Sequence, residues 1–266
     1  MKKILSLVLI LLVCTSCKES SNQLEVSGST SIAPVMEKLI ASYEKDNNVK
    51  INLTADGSSA GITAATDGVS DIGMSSRSLT KDELKDDLNV NIIGIDAIVV
   101  VVNKNNGVDN LTIDDLHDIY SGKKTNWKDF GGINRPIVLV SRENGSGTRD
   151  AFEENIKVKT DQGISLVDSN NPVIVNSTGA VIENVAQKEG AIGYMSLGSV
   201  DDEIKAIKLN GVEPSEQSII DKKYPITRDF YLVSKKDNKK VDEFISFILS
   251  KKGQQIMENE GFIKVK

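Results

Sequence analysis

Arg142 ends an apolar run, "PIVLVSR", and "ENGSGT" follows it directly. A guanidinium offers a planar fork of donors that suits carboxylates and tetrahedral oxyanions. Ser146 and Thr148 add hydroxyls that both donate and accept, and Gly147 lets the backbone approach a ligand closely. Two further stretches share this design: "SGSTS", with Thr30 and Ser31, and "DGSSAG", with Ser58. Each follows a strand-like run and precedes a helix-like one. The first N–H groups of a helix lack intrahelical acceptors and carry the positive end of its dipole, so such corners attract anions. Any one of them is equally an ordinary capped turn. Three together, one led by an arginine, point to anion binding. "DIGMSSR" brings Ser75, Ser76 and Arg77 after another strand. Ser76 can join the hydroxyls, while Arg77 reads as a brace for a carboxylate or as a solvent-facing side chain. "NSTGAVIENVA" is a similar turn, read as capping by Ser177 or Thr178, with a place near a lobe interface as the alternative.

Other chemistries find less support. His117 is the only histidine and falls on a helix-like amphipathic stretch, where a structural role is expected. A hydrolase built on Ser146 would have to recruit it as base. No cluster of His, Cys and Asp has metal-ligand spacing, and no cofactor is implied. Trp127, in a Gly-flanked loop, reads as packing rather than as a ligand cover. The 266 residues carry a net charge of −6, which becomes −8 without the leader lysines Lys2 and Lys3. An acidic chain is a poor partner for nucleic acid or anionic membrane surfaces.

Alternating strand and helix patterns must position these corners. "QLEVSG", "VKINLT", "DIGMSS", "PIVLVS", "PVIVN", "AIGYMS" and "YPITRDFYLVS" read as strands. Helical spacing marks 32–43 and 241–248, "NSTGAVIENVA" reads as a turn into a helix, and "TKDELKDD" reads as a polar helix. "AIVVVV", Ala97 to Val102, looks like a strand buried on both faces. This pattern predicts an α/β fold with a largely parallel sheet and helices on both faces. No flexible linker separates the two sets of elements. Two lobes are therefore expected to be joined by crossing strands, with Val99–Asn103 and Thr227–Val233 as candidates. The expected division is lobe I at 24–99 and 230–266, and lobe II at 100–229.

The first 16 residues read as an export signal, with a "MKK" start and a short apolar run, Ile4 to Val13. That run is shorter than the roughly 20 residues that span a bilayer. Thr15 and Ser16 before Cys17 fit a lipoprotein cleavage box, although Cys14 stands where leucine is usual. Ordinary signal cleavage nearby is the alternative. Cleavage before Cys17 leaves one cysteine, hence no intramolecular disulfide, and residues 17–23 become a lipidated tether.

With those motifs in view, the chain resembles the periplasmic-type phosphate-binding lipoproteins of phosphate ABC transporters, the PstS family. "GSTSIAPVMEKL", "GSSAGI", "DIGMSSR", "DIYSGKKTNW", "SRENGSGTRDAFEE", "STGAVIENVAQKEGAIGYMSLG" and "YPITRDFYLV" carry the likeness, in order, over nearly all of the mature chain. The resemblance implies a type II two-lobed periplasmic-binding-protein fold that buries inorganic phosphate between its lobes. It implies contacts from Thr30, Ser31, Ser58, Ser76, Arg142, Ser146, Gly147 and Thr148, and lipidation at Cys17. It implies a monomeric, non-enzymatic protein, anchored by lipid on the extracytoplasmic face of the cell membrane and delivering phosphate to permease subunits. The pattern departs from the family twice. Asn144 stands where many members have an aspartate that pairs with the arginine. Ser76 stands where many have the carboxylate thought to accept the proton of hydrogen phosphate, with Asp56 and Glu143 as possible substitutes. A binder of sulfate or molybdate, an exported phosphatase, and a sensor or adhesin on the same fold remain as alternatives.

Overall fold

A computed structural model describes residues 22–265, so the leader, Cys17 and most of the tether lie outside the described residues. In chain order the elements are β1 (Gln23–Gly28), α1 (Ala33–Asp46), β2 (Lys50–Ala55), α2 (Ser58–Asp67), β3 (Ile72–Ser75) and the long β4 (Leu88–Asn103). Then come β5 (Asn110–Leu111), α3 (Ile113–Tyr120), β6 (Val138–Arg142), α4 (Gly147–Asn155), β7 (Val173–Val175), α5 (Thr178–Gln187) and β8 (Ala191–Ser196). The chain closes with β9 (Ile204–Ala206), β10 (Lys208–Leu209), α6 (Glu216–Ile220), β11 (Thr227–Lys235), α7 (Lys239–Ile248) and α8 (Lys251–Asn259).

Nine strands form one continuous sheet in the order β2-β1-β3-β11-β4-β8-β6-β7, with β9 also on β4, while β5 and β10 pair in a separate two-stranded sheet. It is mixed rather than largely parallel. β1 pairs in parallel with β2 and β3, and β6 with β7 and β8, whereas β11 and β4 pair antiparallel with their neighbours. The sequence alternation identifies the βα units within each half but says nothing of the direction of strands that return between halves.

Two apolar cores flank the crossing. One gathers β1, α1, β3, Phe230, Leu232, α7 and α8; the other gathers Ala97 to Val102, β6, β8, Phe152 and Trp127. Along β4 the change of core falls between Ile93 and Ala97, and along β11 between Ile226 and Phe230. The run Ala97 to Val102 is wholly buried, because both of its faces are covered. α7 buries Val241, Phe244, Ile245 and Ile248 on one side. The segment 80–87 is not a helix but a series of turns. Its aspartates compete for backbone donors and it has no apolar face to dock. The Glu83 carboxylate instead accepts the Thr80 amide and both terminal nitrogens of Arg77 at 2.8 Å each. Trp127 is fully buried, donating its indole N–H to the Gly190 carbonyl at 2.9 Å.

Candidate functional site

Four strand-to-helix corners meet between the two cores. Pro34 in the first turn of α1 sets that helix going, leaving Thr30 and Ser31 at its mouth. Gly28 and Gly61 let β1 and α2 pack backbone to backbone; a Cβ on Gly61 would lie 2.6 Å from Gly28 Cα and from the Ser27 carbonyl. That close approach places Ser58, the first residue of α2, beside Ser76 at the end of β3. Ser58 Oγ accepts the Ser76 amide at 3.1 Å and lies 3.2 Å from Ser76 Oγ.

The second half supplies the opposite wall. Ser146 caps α4 by accepting the Arg149 amide at 3.3 Å, and Gly147 and Thr148 are the first residues of that helix. Thr148 Oγ1 sits 2.9 Å from Ser31 Oγ across the interface. Arg142 Nη2 donates to Thr30 Oγ1 at 3.0 Å. Gly147 faces Ser58 and Ser76 so closely that a Cβ there would be 2.8 Å from Ser76 Oγ and 3.0 Å from Ser58 Cβ. Thr30, Ser31, Ser58, Ser76, Arg142, Ser146, Gly147 and Thr148 are all buried, and they form one enclosed ring of hydroxyls, helix-start amides and a guanidinium.

Sequence reasoning left three features of this ring open. Ser177 is the cap of α5, accepting the Ala180 amide at 3.1 Å. Thr178 turns toward the interface instead, 3.4 Å from both the Thr30 and Ser31 hydroxyls. Glu143 braces Arg142 with two contacts of 2.8 Å, while Asn144 is exposed. Asp56 is also exposed, and desolvation pushes its carboxyl up. Arg77 is a brace. It grips Glu83 and reaches Asp150 of α4 at 3.1 Å, a salt bridge between the halves. That bridge borders a groove of about 560 Å³ running past Lys159 and Tyr231. His117 is tied to the Ile156 carbonyl at 3.1 Å.

The ion pair of Arg228 with Asp96 went unremarked in the sequence. Both residues are buried and lie on the crossing strands, Arg228 donating to Asp96 Oδ2 at 2.8 and 2.9 Å. A signal existed for Asp96, the one charge in β4, because buried charges require partners; Arg228 stands beside Asp229 in β11 and gives no such signal. Burial pushes the Asp96 carboxyl up and the Arg228 guanidinium down, and their mutual attraction opposes both shifts.

With each arginine paired to a carboxylate, these four side chains sum to no net charge. The positive character of the ring therefore comes mainly from the four helix starts that converge there. Such a site suits a small, multiply charged oxyanion.

A model of the PBP superfamily domain matches residues 15–252, so fold and sequence together define a member of that superfamily of two-lobed binding proteins. The phosphate-binding protein PstS of Borreliella burgdorferi is 31% identical over the full length of both chains. That of Bacillus subtilis is 29% identical, covering 93% of this chain and 82% of its own. A Clostridium perfringens phosphate ABC transporter substrate-binding protein, solved by X-ray crystallography with bound phosphate, superposes with a TM-score of 0.87. It has 42% identity, over 92% of this chain and all of that one. An ABC-type phosphate transport receptor from Vibrio cholerae gives a TM-score of 0.75 at 34% identity, over 90% and 99% of the two chains. The chain belongs to the PstS family of phosphate-binding proteins.

Proposed function

We propose that this protein captures inorganic phosphate between its lobes and delivers it to the permease of an ABC importer. The observation that carries the reading is the buried ring at the starts of α1, α2 and α4, where Ser31 meets Thr148, Ser58 meets Ser76 and the Arg142 guanidinium meets Thr30, each within hydrogen-bond distance. Thr30, Ser31, Ser58, Ser76, Arg142, Ser146, Gly147 and Thr148 are the proposed phosphate ligands. Dehydrating the anion is offset by charge-assisted hydrogen bonds, each worth about 1.5–3 kcal/mol net. The names of the relatives support transport rather than catalysis. No bond in the ligand is broken in this reading. The protein acts as a monomer held to the outer face of the cell membrane by lipid on Cys17. No helix among the described residues is long and apolar enough to cross a membrane.

Phosphate and sulfate titrations side by side, each at two pH values, test the proposal. Phosphate is expected to bind one-to-one at micromolar concentration or tighter, with a pH dependence that sulfate lacks, because only phosphate changes protonation near neutrality. Tighter sulfate binding at both pH values would assign the ring to another oxyanion.

A further inference from the structure

Asp96 and Arg228 are register partners on β4 and β11, at the point where the chain passes from one core to the other. Asp96 is held on its far side by Ser196, which donates to Oδ1 at 2.8 Å. The fork of Arg228 has two faces. Nε and Nη2 address Asp96, while Nη1 donates to Thr148 Oγ1 at 2.7 Å and to the Ser76 carbonyl at 3.3 Å. One guanidinium thus touches two corners of the ring, Ser76 at the end of β3 and Thr148 at the start of α4. A buried ion pair is weak evidence of stability, because desolvation cancels much of its attraction. The placement of Nη1 asks for another explanation.

We infer that Arg228 is an anion-positioning residue acting through Thr148, and that Asp96 sets how strongly it acts; this rests on the anion-binding reading above. Thr148 Oγ1 accepts from Arg228, so its own proton is directed away from the guanidinium, toward Ser31 and the interior of the ring. Arg142 orients Thr30 in the same way from the other side. Hydroxyls that belong to different lobes are thereby committed as donors toward one point. Burial lowers the Arg228 pKa first, Asp96 raises it, and the like charge of Arg142 lowers it again. An anion in the ring relieves that last repulsion, so closure and binding reinforce each other at the hinge.

Two variants separate this role from a structural one. Asp96→Asn keeps the side-chain shape and an acceptor for Arg228 but removes the neutralising charge. It is expected to bind phosphate at least threefold more tightly while its melting temperature falls. Arg228→Met combined with Asp96→Leu replaces the pair with apolar side chains of similar size, an exchange that buried pairs commonly tolerate. It is expected to stay folded and to bind phosphate at least tenfold more weakly. A structural pair would move stability without moving the two affinities in opposite directions. Should the double variant fail to fold, Arg228→Lys replaces it. Lysine keeps the charge but cannot address Asp96 and Thr148 together, and the same tenfold loss is expected. The inference is overturned if Asp96→Asn binds phosphate no more tightly than the unmodified protein, or if the folded partner variant binds within twofold of it. Absence of phosphate binding by the unmodified protein would overturn the anion-binding reading instead.

Discussion

Gly147→Ala perturbs the account at its narrowest point. A methyl group there meets Ser58 and Ser76 of the opposite wall, with Ser76 Oγ at 2.8 Å and Ser58 Cβ at 3.0 Å, against an ordinary contact of 3.4 Å or more. Rotating the Ser58 and Ser76 hydroxyls away leaves Ser58 Cβ in place, so relief requires the lobes to part by roughly 0.4 Å. That movement stretches the Ser31–Thr148 contact from 2.9 Å to about 3.3 Å and the Arg142–Thr30 contact from 3.0 Å to about 3.4 Å, close to the outer edge of hydrogen bonding. The same donors are withdrawn from an anion gripped by both lobes. Complete loss of one neutral bond at about 1 kcal/mol and one charge-assisted bond at about 1.5–3 kcal/mol gives about 2.5–4 kcal/mol, so the expected loss of affinity is at least about tenfold and at most roughly 850-fold. Gly147 opens α4 and is not among the glycines with positive φ, so alanine is compatible with the backbone there and the variant is expected to stay folded, with an unchanged circular dichroism spectrum. Gly179→Ala, in the first turn of α5 with open space around its Cβ position, is the control and should leave affinity unchanged. Calorimetric titration of phosphate into both variants reads the difference. Wild-type affinity in Gly147→Ala would refute the claim that the lobes close on each other at this helix start.

Three other outcomes follow from the same geometry. Arg142→Ala should weaken phosphate binding at least tenfold in a titration while leaving the circular dichroism spectrum unchanged, since its partner Glu143 is only half-buried. Thr178→Val removes a hydroxyl whose contacts to Thr30 and Ser31 are both long, 3.4 Å; a loss of about two- to fivefold is expected in the same assay, for about 0.5–1 kcal/mol. Arg77 holds the Glu83 carboxyl down from 4.5 to about 2. A lowered folded-state pKa stabilises the fold above pH 4.5, and that contribution fades as pH falls toward 2. Urea midpoints of Glu83→Gln should therefore fall less steeply than those of the unmodified protein across that interval, and parallel curves would contradict the pairing.

The corners of the ring could be read from the chain because helix starts advertise themselves locally. Ser or Thr with Gly, after an apolar run and before a periodic one, specifies a cap whatever the rest of the fold does. The buried strand Ala97 to Val102 was legible for a similar reason, being continuous β-branched sequence. What lay hidden is set by partners far away in sequence. Whether Ser177 or Thr178 caps α5 depends on which hydroxyl meets α1, more than 140 residues earlier. The brace on Arg142 passes to the adjacent Glu143, a choice between neighbours that the backbone path decides. Antiparallel pairing of β4 with β11 joins segments 132 residues apart, as in the Asp96–Arg228 pair. The polar stretch 80–87 has good helix formers, yet its best use is to hold Arg77, a tertiary demand that overrides propensity.

The most direct test locates the anion itself. Crystals grown with arsenate, a tetrahedral stand-in for phosphate with an anomalous signal, should show one strong peak enclosed by Thr30, Ser58, Arg142 and Thr148. A peak lodged elsewhere, or a ring whose hydroxyls bond only to one another at saturating arsenate, would contradict the account.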